Sequence, residues 1–186
     1  MILGYQIFIY PAGIEDENVE WIKLALENKF NAKIIIHSKE LKWGDMIKFY
    51  NHERDRVDAR KRIAWLSKSL TPPPNSRLIV LVNGDGFVEG LNFVFGISKE
   101  GWGGIVFTAR LNPIFYGQEY NETIYRVRIF KEILHELGHS YGLSHCNGFC
   151  VMRFSNSVYD VDRKPPEYCT KCKLELEYYN PGLLKM

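Results

Sequence analysis

Residues 135–145 read His-Glu-Leu-Gly-His-Ser-Tyr-Gly-Leu-Ser-His, and this stretch carries the clearest structural signal in the chain. On an α-helix, His135 and His139 lie about 40° apart around the axis, so both imidazoles can reach one metal ion. Glu136 points in another direction, from which its carboxylate can reach a water molecule on that ion. The spacing therefore predicts a helix that carries a metal site on one face.

A third ligand is expected just beyond the end of this helix. Gly142 can adopt the left-handed conformation that terminates a helix, and the chain then turns so that His145 approaches the same ion. Three neutral imidazoles leave a fourth position for water, which is the arrangement of a catalytic zinc site and not of a closed structural one. Zinc lowers the pKa of that water toward about 7, so hydroxide becomes available at neutral pH.

The helix around the motif can be traced to both of its ends. Asn121 is a suitable cap with Glu122 in the first turn, and the helical pattern continues to about Gly142. A bare His-Glu-x-x-His can also be a helix with two hydrogen-bonded histidines, but the longer motif favours the metal site. The apolar side chains opposite the histidines are expected to pack on a sheet, and they are Val127, Phe130, Leu134, Leu137 and Tyr141.

The sequence before residue 121 predicts a sheet covered by helices. Strands are predicted from β-rich apolar runs, and helices from apolar residues at helical spacing. The order strand, helix, strand, helix, strand favours right-handed crossovers and a partly parallel sheet, whereas the last two strands are close enough to pair antiparallel. The predicted strands are residues 5–10, 32–37, 78–82, 92–98 and 104–111, and the predicted helices are residues 15–30 and 55–70.

The composition is that of a single globular domain. The chain has 186 residues, of which 46% are apolar and 25% are charged. No apolar run reaches the roughly 20 residues that cross a bilayer, and residues 1–10 read as a first strand and not as a signal peptide, so we expect a cytoplasmic protein without a membrane partner. The net charge of +2 is too small to indicate a nucleic-acid partner, and the basic residues 54–62 are interleaved with acidic ones.

Four cysteines form two close pairs, Cys146 with Cys150 and Cys169 with Cys172. This spacing predicts a tetrahedral four-thiolate zinc site, which would stabilise a segment that has little hydrophobic core of its own. Two disulfides are an alternative, but the N-terminal sequence argues against an oxidising compartment. A redox pair at Cys169 and Cys172 is a second alternative, although the preceding residues 165–168 do not resemble a strand that opens into a helix.

The motif half of the chain resembles the archaemetzincins, a family of zinc metallopeptidases in the metzincin clan. In that family the zinc motif is followed at once by a cysteine, then by Cys-x-Met and then by Cys-x-x-Cys. Cys146, Cys150-Val151-Met152 and the pair at 169 and 172 match this order, although three residues separate the first two cysteines here and four do in the family. Similar stretches occur upstream at residues 90–96, 109–111 and 115–117.

The resemblance implies an α+β metzincin fold, in which a twisted mixed β-sheet with backing helices is joined to an active-site helix and a small zinc-bound C-terminal lobe. We expect one catalytic domain, with residues 1–142 forming the sheet-and-helix part and residues 143–186 forming the lobe. The resemblance also implies that Met152 forms a tight methionine turn below the metal without binding it. An ordinary core methionine would pack in the same way.

The predicted function is hydrolysis of peptide bonds by a zinc-activated water, with Glu136 as general base and His135, His139 and His145 as metal ligands. The substrate is expected to lie extended along a sheet edge, for which residues 92–98 are the candidate. The alternative is a zinc-stabilised peptide-binding module with little hydrolytic activity, which has no evident use for a carboxylate beside the metal. We expect two zinc ions, a peptide or protein substrate and a monomer, and the sequence does not distinguish an aminopeptidase from an endopeptidase.

The residue that stabilises the oxyanion is not selected by any spacing. Tyr159, Tyr168 and Arg110 are the candidates, and the sequence leaves all three open. Asp85 could touch a cation, but its place in Asn-Gly-Asp-Gly is more typical of a turn.

Overall fold

The computed structural model of the protein describes residues 4–37 and 48–185. The strands within these residues are β1 (Tyr5–Ala12), β2 (Ala32–Ile36), β3 (Tyr50–Asn51), β4 (Arg56–Asp58), β5 (Ser76–Val82), β6 (Gly86–Phe87), β7 (Gly96–Lys99) and β8 (Gly103–Phe107). Five of them form the central sheet in the order β2-β1-β5-β8-β7, and β3-β4-β6 form a small second sheet. The first four strands of the central sheet run parallel and the edge strand β7 runs antiparallel, so the predicted mixed sheet is confirmed.

Helices cover both faces of this sheet. The described α-helices are α1 (Asp16–Lys29), α2 (Ala59–Ser69), α3 (Glu122–Ser140), α4 (Val158–Arg163) and α5 (Thr170–Tyr179). Strand β5 is apolar on both sides: Ile79 and Leu81 pack in the cluster that contains α1 and α3, whereas Leu78 and Val80 pack in the cluster that contains α2. A strand buried on both faces reads as a continuous apolar run, which is why it was recognisable in the sequence.

Two of the predicted elements begin later than expected. The helix predicted over residues 55–70 begins at Ala59, because the side chain of Asp58 accepts a hydrogen bond from the Lys61 amide and caps it. The strand predicted over residues 92–98 begins at Gly96, and the preceding loop is held by Arg56, whose guanidinium donates to the Asn92 carbonyl at 2.6 Å.

The strand predicted over residues 104–111 is also too long. It ends at Phe107, and Ala109–Leu111 form a 3₁₀ turn that a second 3₁₀ turn, Pro113–Tyr116, follows. The amide of Ala109 donates to the Gly84 carbonyl, so the chain leaves the ladder and turns toward α3.

Helix α3 is capped at Asn121 as predicted, with the side chain accepting from the Ile124 amide at 3.0 Å. The expectation of one core face was wrong, because residues 128–138 are buried on all sides. The sheet packs against one side of α3 and the C-terminal segment packs against another. Val127, which the helical pattern assigns to the core face, is only half-buried.

The C-terminal segment shares the main core, which corrects the expectation that it would have little hydrophobic core. Val151, Met152, Tyr168 and Leu176 are buried in the same cluster as the strands and α3. The chain then returns to the first part of the fold, where the Asn31 amide donates to the Leu183 carbonyl at 2.7 Å. The proposed division at residue 142 stays a prediction, and residue 186 lies outside the described residues. None of the described helices is long and apolar enough to cross a membrane.

Candidate metal centres and active site

Three histidines meet where α3 ends. The ring centroids of His135 and His139 are 4.6 Å apart, and that of His145 lies 5.3 Å and 4.7 Å from the two others. One nitrogen atom of each ring lies within 4.8 Å of the corresponding nitrogen atoms of the two other rings. The helix supplies the first two side chains, and Gly142, with φ of 104°, turns the chain so that the third can approach.

Backbone carbonyls orient two of the rings. Nδ1 of His135 lies 2.9 Å from the Val151 oxygen, and Nδ1 of His139 lies 2.7 Å from the Leu143 oxygen. Because a carbonyl can only accept a hydrogen bond, each Nδ1 carries the proton and donates it. The lone pair on each Nε2 is therefore free for a metal ion, as in many protein zinc sites.

The protonation state of the cluster also suits a cation. Burial lowers the pKa of His135 well below its usual 6.5, with the positive charge of Lys164 adding to the effect. Burial is also the main cause that lowers the pKa of His139 and of His145. Neutral imidazoles in a converging set of three are the donors that zinc takes at a site with an open position, so the residues fit the metal.

Glu136 is buried beside the cluster and close to the sheet edge. A methyl group at Gly96 would overlap its Oε1, and one at Gly104 would lie 2.6 Å from its Cβ, so two glycines leave the space that this side chain occupies. Burial raises the pKa of Glu136 to about 8, the charge of Glu132 acts in the same direction, and a hydrogen bond from Ser98 opposes them. A carboxylate in this position can take a proton from a water molecule next to the histidines.

A cleft of about 420 Å³ opens over the histidines and Glu136. Phe154 packs against His145 with ring centroids 5.1 Å apart, and it forms one wall. Strand β7 forms another, and because β7 pairs only with β8 within the described sheet, its other backbone edge is open. The residues that line the cleft include Leu91, Phe93, Phe95, Ser98, Glu100, Glu132 and Ser155.

Met152 lies directly below the metal-binding helix. A methyl group at Gly138 would overlap the Met152 sulfur and lie 3.2 Å from the Tyr168 ring. The hydroxyl of Tyr168 donates to the Leu134 carbonyl at 2.6 Å. The close approach of α3 to the methionine therefore requires glycine at the fourth position of the motif, a packing role that the sequence did not reveal.

None of the three oxyanion candidates lines the cleft. Tyr168 is buried on the other side of α3, where its hydroxyl is already bonded, and Tyr159 is 70% exposed. Arg110 binds Asp85, with its Nε 2.9 Å and 2.8 Å from the two carboxylate oxygens.

Asp85 is therefore more than a turn residue. Its Oδ2 also lies 2.8 Å from the Nε of Arg56, which in turn holds the Asn92 carbonyl. Arg110 stacks on Phe93, a wall of the cleft, with its guanidinium carbon 4.3 Å from the ring centroid. The Asp85 carboxylate thus joins two arginines that support the cleft wall. Both arginines are at least 25 positions from Asp85 in the sequence, so no local pattern predicts the network.

The four cysteines come together in the C-terminal segment. Each offers a sulfur within 4.8 Å of the others, and none is in a disulfide. The sulfurs of Cys146 and Cys169 are 3.8 Å apart, and the Cys169 amide donates to the Cys150 sulfur at 3.2 Å. A backbone hydrogen bond from Cys172 is the main cause that lowers the pKa of Cys169 to about 7, which favours the thiolate that binds metal. Burial raises the pKa of Cys150 and of Cys172, so these two thiols would need a bound cation to ionise at neutral pH.

The two clusters are joined through the backbone. Cys146 follows His145 in the chain, and its amide donates to the Met152 carbonyl at 3.0 Å. Val151, which orients His135, lies between Cys150 and Met152. A rigid cysteine cluster would therefore hold His145 in place, together with the Val151 carbonyl that orients His135.

Comparison with known proteins agrees with the geometry. The sequence profile of peptidase family M54 matches residues 67–178. The archaemetzincin of Sulfolobus acidocaldarius is 43% identical over 132 residues, which is 70% of this chain and 74% of the relative. The profile match covers the histidine motif, the four cysteines and strands β5, β6, β7 and β8.

Two crystal structures have the same fold. The archaemetzincin of Archaeoglobus fulgidus complexed with malonate gives a TM-score of 0.76 at 32% identity, covering 91% of this chain and 99% of that one. The archaemetzincin of Methanopyrus kandleri gives a TM-score of 0.77 at 28% identity, covering 94% of this chain and 95% of that one. The chain therefore belongs to the archaemetzincin family, peptidase family M54, and is a zinc metallopeptidase.

Proposed function

We propose that His135, His139 and His145 hold the catalytic zinc and that Glu136 is the general base in the hydrolysis of a peptide bond. The observation that supports this most is the orientation of the rings. Carbonyl groups fix Nδ1 of the two helical histidines, so the Nε2 atoms converge at a point beside the buried carboxylate. A pure binding module would have no need for a carboxylate at that position.

A zinc ion bound there supplies Lewis acidity, which polarises the scissile carbonyl and makes a water molecule more acidic. Glu136 would accept the proton of the attacking water and deliver it to the leaving amine. Its raised pKa suits a group that must both take up and release a proton, while a neighbouring dication would favour the ionised form that accepts it. The hydrogen bond from Ser98 would favour the ionised carboxylate, which is the form that accepts the proton.

The substrate would bind as an added strand on β7. The open backbone edge of this strand borders the cleft, so an extended peptide could pair with it and cross above the histidines. Gly96, the first residue of β7, lies against the Glu136 side chain, so a peptide on this strand would run close to the proposed base. This supports the choice of edge made from the sequence, with a shorter strand.

The cysteine cluster would hold a second, structural zinc ion, which gives two ions per chain. Four sulfurs within reach of one ion are a closed donor set with no position for water. Met152 would pack below the catalytic metal as the turn methionine. A peptide or protein substrate, a monomeric state and a cytoplasmic location complete the proposal, and the choice between terminal and internal cleavage is left to experiment.

The test is digestion of a mixed peptide library by the zinc-loaded protein, with new termini identified by mass spectrometry. We expect cleavage that stops on chelation and returns with zinc, and the positions of the new termini will separate aminopeptidase from endopeptidase action. If the protein contains zinc at the histidines and binds peptides without cutting any, the binding-module alternative replaces this proposal.

A further inference from the structure

A buried ion pair lies beside the histidine cluster. The Nζ of Lys164 is 2.8 Å from Oε1 of Glu132, and the two side chains are 1% and 4% exposed. Removing two charges from water costs free energy that their attraction often does not return, so the pair is weak evidence of a stabilising role. The hydrolysis mechanism uses neither residue.

The position of Glu132 is informative. It precedes His135 by three residues and Glu136 by four on α3, so it lies on the same side of the helix. It also lines the cleft. Lys164, at the end of α4, is not among the residues that line the cleft, so the carboxylate is the member of the pair that a substrate could meet.

The hydrogen bonds of this region are incomplete among the described residues. Among the described residues the Glu132 carboxylate has one partner, since its fully buried Oε1 contacts Nζ of Lys164 at 2.8 Å. The hydroxyl of Ser155, another residue that lines the cleft, is buried without a partner in that part of the chain. Buried polar groups are rarely left in this state, so a ligand group is expected to complete the bonding.

The surroundings define the ligand group. Phe93, Phe95 and Phe154 give the cleft aromatic walls. Lys164 already balances the charge of Glu132, so a neutral hydrogen-bond donor is favoured over a second cation. The pocket therefore suits a side chain with an apolar stem and a neutral donor at its tip.

We propose that Glu132 is a specificity-determining residue, which accepts a hydrogen bond from a substrate side chain next to the scissile bond and so selects glutamine or tyrosine over their apolar counterparts methionine and phenylalanine. This inference rests on the proposed peptidase function. A site built to bond a donor rejects the analogue that lacks it, because the buried acceptor is then left unpaired.

The test compares peptide pairs that differ only by glutamine against methionine, or tyrosine against phenylalanine, at the positions flanking the cleaved bond. We expect kcat/KM to favour the donor-bearing peptide by at least about tenfold at one of these positions. The zinc-loaded Glu136→Ala variant provides a second readout. It should bind the donor-bearing peptide more tightly than its apolar counterpart and cleave neither of them.

The informative variant is the double substitution Glu132→Met with Lys164→Met, because changing one member alone would leave a buried charge unpaired. Its preference should fall to about twofold or less, both in cleavage and in binding. Glu100→Met removes an exposed carboxylate that also lines the cleft, and it should keep the preference of the wild type.

The outcomes separate the two proposals. Cleavage or binding without preference, or a preference that survives the double substitution, overturns the role of Glu132 and leaves the peptidase proposal intact. A loss of preference in Glu100→Met would attribute the effect to the general charge of the cleft and would also overturn it. If the zinc-loaded protein neither binds nor cleaves any peptide, both proposals are refuted.

Discussion

Burial of Glu136 has a measurable cost in the metal-free protein. Its pKa is raised from an ordinary 4.5 to about 8. Well below pH 4.5 the group is protonated in both the folded and the unfolded chain, so it contributes no difference in stability. As the pH rises toward 8 the unfolded chain ionises first, and the folded protein loses stability relative to it.

Glu136→Gln should remove this dependence. In urea unfolding of metal-free protein between pH 5 and pH 9, we expect the wild type to lose about 2–4 kcal/mol relative to the variant as the pH rises, with little further change above pH 8. The neighbouring histidines are present in both proteins, so their own titration cancels in the difference and the remaining pH dependence reports Glu136. A difference that does not vary with pH would contradict the buried placement.

Gly138 makes a second prediction at the scale of one residue. Alanine there would overlap the Met152 sulfur, so α3 or the methionine turn must shift. We expect Gly138→Ala to cost roughly 1–3 kcal/mol in the free energy of unfolding and to weaken zinc binding at the histidines. Gly4→Ala is the control, because open space surrounds that position, and an unchanged zinc affinity in Gly138→Ala would argue against the close packing.

Local spacing explains which site residues the sequence could reveal. His135, His139 and Glu136 lie within one stretch of helix, whose geometry fixes their relation. Glu132 and Lys164 meet across 32 positions, and Asp85 meets Arg110 across 25. Such contacts depend on how whole elements pack, and no pattern in one sequence reports them.

At the scale of elements, the loop before β7 is held in place by side chains from other parts of the chain. Asp85 joins Arg56 and Arg110, which hold the Asn92 carbonyl and the Phe93 ring. Asp85→Asn should loosen this wall while leaving the histidines and Glu136 in place. We expect KM for a peptide to rise about 3- to 30-fold with a smaller change in kcat, since the loss is in substrate positioning.

The matched control is Glu122→Gln, which removes a carboxylate–arginine pair on the exposed start of α3. Steady-state kinetics of the two variants at equal zinc content provide the measurement. An Asp85→Asn variant that loses kcat alone, or that behaves as Glu122→Gln does, would show that the network does not shape the cleft.

The elements themselves were predictable to different degrees. Strand β5 and helix α3 were found because each has a long apolar pattern and a clear end signal. The start of β7 was misplaced because residues 93–95 are as apolar as a strand, yet Arg56 binds the Asn92 carbonyl and the Val94 amide bonds to Gly86. The end of β8 was misplaced for a similar reason, since the bond from the Ala109 amide to Gly84 is not visible in the sequence.

At the scale of the whole molecule, the shared core decides how the protein responds to loss of metal. The C-terminal segment buries Val151, Met152 and Leu176 in the same cluster as the sheet. We expect the chelated protein to stay folded and to unfold in one transition. Each zinc ion should add about 4 kcal/mol of stability when free zinc is about 1,000 times its dissociation constant.

Thermal unfolding followed by near- and far-ultraviolet circular dichroism, with and without chelator, provides the check. A lower midpoint with near-native spectra at 25 °C is the expected result. Loss of helical signal on chelation at 25 °C, before the main transition, would mean that the segment depends on its metal for folding, as its sequence alone suggested.

The most direct measurement of the central claim is kcat/KM of wild type and Glu136→Ala on one cleaved peptide, at matched zinc content. We predict that the variant keeps its zinc and its peptide affinity and loses about 10²–10⁴-fold in kcat/KM, the range that general acid–base catalysis supplies. Equal activity in the two proteins, with zinc present at the histidines in both, would contradict the assignment of Glu136 and the mechanism built on it.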